Sequence, residues 1–200
     1  MALSKIQSES VNLADNFAFT GTVTGAGSEG LVHLETQTGT SVASVIFGND
    51  VVNINNYKRY KIIGRTRPAT DNVSLFFNFL DASENNVSTT AYRRAVNSGA
   101  VSNSSAFDLS LVIGATNDYE AGAQFEALID IQHIGNDDFQ AMLSSRMTKV
   151  DTSGNLRYAL TDGMLRYDTT TTQPAGFKFY YSGSANHSRV TMSLFGVTES

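Results

Sequence analysis

Three histidines, nineteen carboxylates and no cysteine bound the chemistry this chain can perform. Without cysteine there is neither a disulfide framework nor a thiolate zinc site. His33, His133 and His187 fall in separate segments, and none sits in an H-x-H or H-E-x-x-H spacing, so zinc ligation has no local template. All three are expected at ordinary surface or edge positions. Serines and aspartates are plentiful, but no nucleophile elbow singles one out: Ser28 follows Ala26-Gly27 rather than Gly-x. Glu126 and Asp130 lie on the polar face of one strand pattern, where a solvated face is expected rather than the carboxylate pair of a glycosidase. The acidic segments Asn136-Asp137-Asp138 and Asp151 to Asn155 offer oxygens to Ca²⁺, yet they also contain what a tight turn needs without an ion. Gly25-Ala-Gly27-Ser-Glu-Gly30 spells G-x-G-x-x-G. A strand pattern follows it, not the helix whose N-terminus would receive a pyrophosphate, so it reads as a linker. No cofactor or metal is implied, and no catalytic residue emerges.

The remaining chemistry is that of surfaces. Lys58, Arg59, Lys61, Arg65 and Arg67 concentrate cations in one strand, with Tyr57 and Tyr60 between them. Such a strip could meet nucleic acid, but the chain as a whole carries a formal charge of −5. A nucleic-acid binder needs a basic footprint that displaces counterions, so an inter-subunit salt-bridge face is the expectation. The charged fraction is 16%, against roughly 25% in ordinary globular chains. Ser, Thr and Asn fill the difference, which suits polar, uncharged solvent faces and glycan contacts alike.

The elements that position these residues are strands. From Gln124 to Lys149, Phe125, Ala127, Ile129 and Ile131 alternate with Glu126, Asp130 and Gln132, and only Leu128 breaks the polar side. Period two marks a strand with one face in a core. Gly135 to Asp138 supplies turn chemistry before a second alternating run, Phe139 to Lys149, so a long hairpin is expected at the heart of an antiparallel sheet. Further strands are expected at 31–37, 41–47, 57–66, 73–80, 107–114, 155–160, 163–167, 176–181 and 189–197, with Tyr60, Ile62, Phe177, Phe179, Tyr181, Val190, Met192 and Leu194 pointing inward. Leu75 to Phe77 is apolar on both faces and predicts a strand covered twice or turned to a subunit interface. Asp81 to Ser105 is the most polar stretch and is expected as a long contact loop or excursion, holding at most one short strand, with Tyr92, Arg93 and Arg94 as its contact residues. Helical spacing is sustained nowhere. The pattern predicts an all-β, antiparallel, jelly-roll-like sandwich over 31–200.

Residues 1–30 form a different unit. Ile6, Val11 and Leu13 are scattered through polar sequence, Phe17, Phe19 and Val23 share one side of an extended run, and a Gly-rich linker follows. So short and Gly/Thr-rich a segment cannot bury enough surface to fold alone. It is expected to lie as an anchoring or exchange arm on a neighbouring chain, or else back on its own domain. Met1 to Gln7 lacks the basic and apolar segments of a signal peptide, and the apolar runs are too short to span a bilayer.

The opening Met1 to Gly25, with Phe17-Ala-Phe-Thr-Gly-Thr-Val-Thr-Gly25, resembles the start of tail-fibre and other appendage proteins of tailed bacteriophages, especially marine, cyanophage-like ones. The body is similar to phage virion proteins at Ala43-Ser-Val-Ile-Phe47, Asn55 to Ile63, Gly176-Phe-Lys-Phe179 and the closing Leu194-Phe-Gly-Val197. The resemblance implies a jelly-roll-like knob, usually a homotrimer, built into the virion after synthesis in the host cytoplasm, and no catalytic residues. Its partners would be copies of itself, other virion proteins through the arm, and a host-surface glycan or protein. A capsid decoration (cement) protein and a free lectin-like carbohydrate-binding module are the alternatives. A depolymerase would need a carboxylate pair or triad that the sequence does not present.

Overall fold

A computed structural model describes residues 30–70, 73–87, 92–96, 102–104, 107–108, 123–133, 139–150, 155–165 and 173–198. Twelve strands are described, in chain order β1 (Gly30–Gly39), β2 (Ser44–Phe47), β3 (Arg59–Pro68), β4 (Leu75–Leu80), β5 (Tyr92–Val96) and β6 (Ser102–Ser104), then β7 (Phe107–Asp108), β8 (Ala123–His133), β9 (Phe139–Val150), β10 (Leu156–Leu165), β11 (Gly176–Tyr181) and β12 (His187–Thr198). All pairings are antiparallel. One sheet has the order β1-β12-β3-β8-β9-β10-β5-β6 and the other β2-β11-β4-β7.

That order identifies the architecture. The strands β1-β12-β3-β8 and β2-β11-β4-β7 are the two four-stranded sheets of a jelly roll, each drawing alternately on the beginning and end of the chain. Four strands are additional. β5 and β6 are inserted between β4 and β7, and β9 and β10 between β8 and β11. Both insertions continue the same sheet beyond β8. The expected all-β jelly-roll-like sandwich is therefore what the chain forms, and the β8–β9 hairpin occupies the middle of the larger sheet.

Period-two burial builds the core. Tyr60, Ile62, Phe125, Ala127, Ile129, Val190, Met192 and Leu194 point inward from the larger sheet, and Leu75, Phe77, Phe79, Phe177, Phe179 and Tyr181 meet them from the smaller one. Aromatic rings form the seam. Phe77 stands edge-on to Phe79 at 5.0 Å and to Phe179 at 5.1 Å, Tyr60 meets Phe177 at 5.2 Å, and Phe125 meets Phe179 at 5.5 Å. Such pairs add about 0.5–1.5 kcal/mol each beyond the area they bury. Gly64 makes room for the seam: it lies opposite Phe125 in the β3–β8 register, and a Cβ there would sit 2.4 Å from the Phe125 ring.

Three expectations change. The strands expected at 155–160 and 163–167 are one continuous strand, β10, paired along its whole length with β9, and Gly163 stays in the ladder. The stretch expected as a loop or excursion with at most one short strand contains two, and Tyr92, Arg93 and Arg94 lie in β5, opposite Leu165, Met164 and Gly163. β2 begins at Ser44 rather than Ser41, because Ser41 takes a left-handed turn at φ 56°. Leu80 and Asn78 are buried on the side of β4 away from the core, where the chain returns at once: Val87 donates to the Phe79 carbonyl and Ala175 to that of Leu80.

Candidate functional site

Two places gather residues of chemical interest, a buried corner and a broad outer face. In the corner, His187 is fully buried at the start of β12. Its backbone bridges to Val42, and Asn186 beside it accepts from the Ala69 amide, so three connections converge around the imidazole. Nδ1 is 2.7 Å from Thr66 Oγ1, which lies 3.0 Å from the Tyr181 hydroxyl. The Tyr181 and His187 rings are 4.6 Å apart. Nε2 has no hydrogen-bond partner. Burial pushes the imidazole pKa down to about 4, against a weaker upward pull from the Phe179 carbonyl, and burial likewise raises the Tyr181 hydroxyl while Thr66 opposes it. A histidine buried in this way, with its charged form disfavoured, suits a structural joint better than a proton carrier.

The outer face belongs to the larger sheet. The basic strip expected to face another subunit finds partners inside the chain. Arg59 Nε contacts Asp130 Oδ2 at 3.0 Å across the β3–β8 register, and Lys61 Nζ reaches Glu126 Oε1 at 2.7 Å on the diagonal. The Gln124 amide, oriented with its oxygen toward the guanidinium, accepts from Arg65 Nη2 at 2.9 Å and Nε at 3.2 Å. Tyr60, which the sequence places between these cations, is buried in the core as expected, with Tyr57 packed edge-on to it at 6.1 Å. Between the ion pairs lie large apolar side chains. Ile63, Leu128, Met142, Leu156, Tyr158 and Leu160 are all on this face and exposed, from 38% for Leu160 to 74% for Leu156. The registers place Ile63, Glu126, Arg146 and Leu160 in one row across four strands, and Lys61, Leu128, Ser144 and Asp162 in the next. Over the outward side of β3, β8, β9 and β10 the cations Arg59, Lys61, Arg65, Arg67 and Arg146 accompany the carboxylates Glu126, Asp130 and Asp162, so the face is slightly positive.

The remaining predicted residues are scattered. His33 is at the surface of β1, as expected, bonded to Thr36 at 2.8 Å and edge-on to Phe195 at 5.4 Å. His187 contradicts the expected surface position; the bridge to Val42, distant in sequence, encloses it. The arm residues Ile6, Val11, Leu13, Phe17, Phe19 and Val23 lie outside the described residues, as do Asn136 to Asp138 and Asp151 to Gly154. An acidic turn missed in the sequence is at Asp81, whose Oδ1 accepts from the Ser83 and Asn85 amides; those hydrogen bonds hold its carboxyl below the usual range. The signal was present, since Asp followed by polar residues is the composition of such a turn. A shallow, open depression of about 310 Å³ is lined by Thr38, Gly39, Thr40, Arg189, Val190 and Thr191. Among the described residues no cluster of three or more potential metal ligands is present, and no helix is long and apolar enough to cross a membrane. Comparison with protein-family models, with curated proteins and with solved structures found no match to this chain.

Proposed function

We propose that this chain is a non-enzymatic structural protein of a bacteriophage particle, a tail-fibre or fibre-knob appendage protein that works in assembly and host-surface attachment as a homotrimer. The observation that carries the proposal is the wide, partly apolar outer face of the jelly-roll strands β3 and β8, extended by the inserted strands β9 and β10. Such a face suits contact with protein better than turnover of a small molecule. The resemblance of residues 1–25 to appendage proteins gives the proposal its setting. In it, the arm anchors the chain to other virion proteins through main-chain ladder bonds and the side chains of Phe17, Phe19 and Val23, and the stretch holding Tyr92, Arg93 and Arg94 is the host-surface contact. The capsid decoration reading draws on the same face and arm, and differs in copy number.

Quantitative mass spectrometry of purified virions tests this. A ratio to the major capsid protein of a small fraction supports the appendage. A near-stoichiometric ratio replaces it with a decoration protein tiling the capsid. Absence from virions overturns both and leaves a free lectin-like module as the better account.

A further inference from the structure

We infer that the depression beside β1 and β12, together with the arginines next to it, binds an acidic saccharide, a sugar chain carrying carboxylate or sulfate groups. That such a saccharide would come from a host surface rests on the attachment reading above; the binding itself does not.

Charge is divided unevenly along the outer face of the larger sheet. Arg59 and Lys61 are answered by Asp130 and Glu126. Toward the opposite end of β3, the register sets Arg67 directly opposite Arg189 and Arg65 directly opposite Thr191. Like charges placed opposite one another on a sheet are unfavourable by themselves. Among the described residues, the row through Arg65 contains no carboxylate. It continues into Gln124, Thr148 and Tyr158 on one side, and into Thr191 and Thr38 on the other. An anion held between these guanidinium groups offsets their repulsion. Their planar forks also match the paired oxygens of a carboxylate or a sulfate.

The depression adjoins this charge and adds a second kind of contact. Its volume of about 310 Å³ is near the lower end for a small-ligand site, and Arg189 is in its lining. Three threonines, Thr38, Thr40 and Thr191, line it as well, and all three are exposed. Each hydroxyl can donate one hydrogen bond and accept others. Sugar hydroxyls do both in return, whereas a bare anion only accepts. Guanidinium groups beside a hydroxyl-lined hollow therefore suit a sugar with an acidic substituent better than a free ion. A long polyanion fits less well, because the chain as a whole carries −5. Nucleic acid running beyond the patch would meet net negative surface, while a short acidic saccharide meets the patch alone.

The test is titration calorimetry of the purified full-length chain at low ionic strength. The probes are an oligogalacturonate, a sulfated galactan oligosaccharide and the neutral galactan oligosaccharide of equal length. At least one acidic probe is expected to bind about 10-fold or more tightly than the neutral one. Arg189→Glu and Arg65→Gln, both at exposed positions, are each expected to weaken that binding about 10-fold or more, since each removes a charge-assisted fork. Lys178→Glu, on the outer side of the smaller sheet, also replaces a cation by a carboxylate and is expected to leave binding unchanged. Circular dichroism and melting temperature check that the variants stay folded. No binding of either acidic probe, equal binding of the neutral one, or an equal loss with Lys178→Glu would overturn the inference. Displacement of the acidic probe by inorganic sulfate at the same concentration would overturn it too, by reducing the site to one for simple anions. Binding by a chain that is absent from virions would leave the site standing and remove its role in attachment. A chain present in virions that binds neither acidic probe would do the reverse.

Discussion

Acidification should unfold this protein through one residue more than through any other described here. His187 is neutral and sealed in the folded chain, with a pKa of about 4, whereas in the unfolded chain it titrates near 6.5. Between those values the unfolded state binds the proton and the folded state does not, so stability rises with pH across the window. Stability is complete above about pH 6.5 and falls as the pH drops toward 4. Full separation of the two pKa values corresponds to about 3 kcal/mol at 1.36 kcal/mol per unit. Between pH 7 and 4.5 the expected loss is about 2 kcal/mol, with about half of it gone by pH 5.5. For a domain of this size that lowers the melting temperature by roughly 4–8 °C. Urea denaturation at pH 7, 5.5 and 4.5 measures the loss. Carboxylates such as Asp81, held low by its turn hydrogen bonds, also lose their contribution in acid, mostly below pH 4.5. The His187→Gln variant therefore isolates the imidazole: its amide can still meet Thr66, but it does not titrate. It is expected to be less stable than the native chain at pH 7 and to show a flatter pH dependence down to 4.5. A native slope equal to that of His187→Gln across this window would refute a buried neutral imidazole.

Gly64→Ala places a methyl 2.4 Å from the Phe125 ring and 3.1 Å from Met192 Cγ. It should cost about 1–3 kcal/mol, read as a lower urea midpoint, whereas Gly30→Ala meets nothing within 4 Å and should leave the midpoint unchanged. Ser145 buries a hydroxyl without a hydrogen-bond partner, so Ser145→Ala should raise stability by about 1 kcal/mol; a loss of that size would mean that the hydroxyl is satisfied. A double-mutant cycle on Arg59→Ala and Asp130→Ala should return a coupling of about 0.2–1 kcal/mol that shrinks in high salt, because the guanidinium is 48% exposed. A larger, salt-insensitive coupling would refute the solvent-exposed setting of this pair.

The inward residues were legible because a half-buried strand writes its burial into every second position. The alternation of Phe125, Ala127, Ile129 and Ile131 has one physical solution, and so does that of Phe177, Phe179 and Tyr181. The order of the strands was not legible, since β1 pairs with β12 from the opposite end of the chain and no local pattern encodes so distant a partner. The same limit explains the basic strip. Read alone, Arg59 to Arg67 asks for external anions; the acids that answer Arg59 and Lys61 arrive on β8, some seventy residues later. His187 was misread because Asn186 and Ser188 beside it look like turn residues, while its burial comes from Val42, Thr66 and Tyr181.

Leu128 ties the fold to the proposed role. It is the single residue that breaks the polar side of the most regular strand in the sequence, and it is 45% exposed at the centre of the outer face. Its neighbours Ala127 and Ile129 are fully buried in the core. A one-residue slip of β8 would exchange these sets and place Glu126 and Asp130 in the aromatic seam, so the register is strongly fixed. The apolar residue on the wrong side is therefore not a tolerance of the fold, which would be equally served by a polar one. Neither are Met142 and Leu160, which inserted strands bring onto the same face from β9 and β10. The jelly-roll core alone needs neither strand to close its two sheets. Apolar side chains exposed on added strands, and aligned with one on a core strand, are what a contact surface requires and what a solvated sheet face does not.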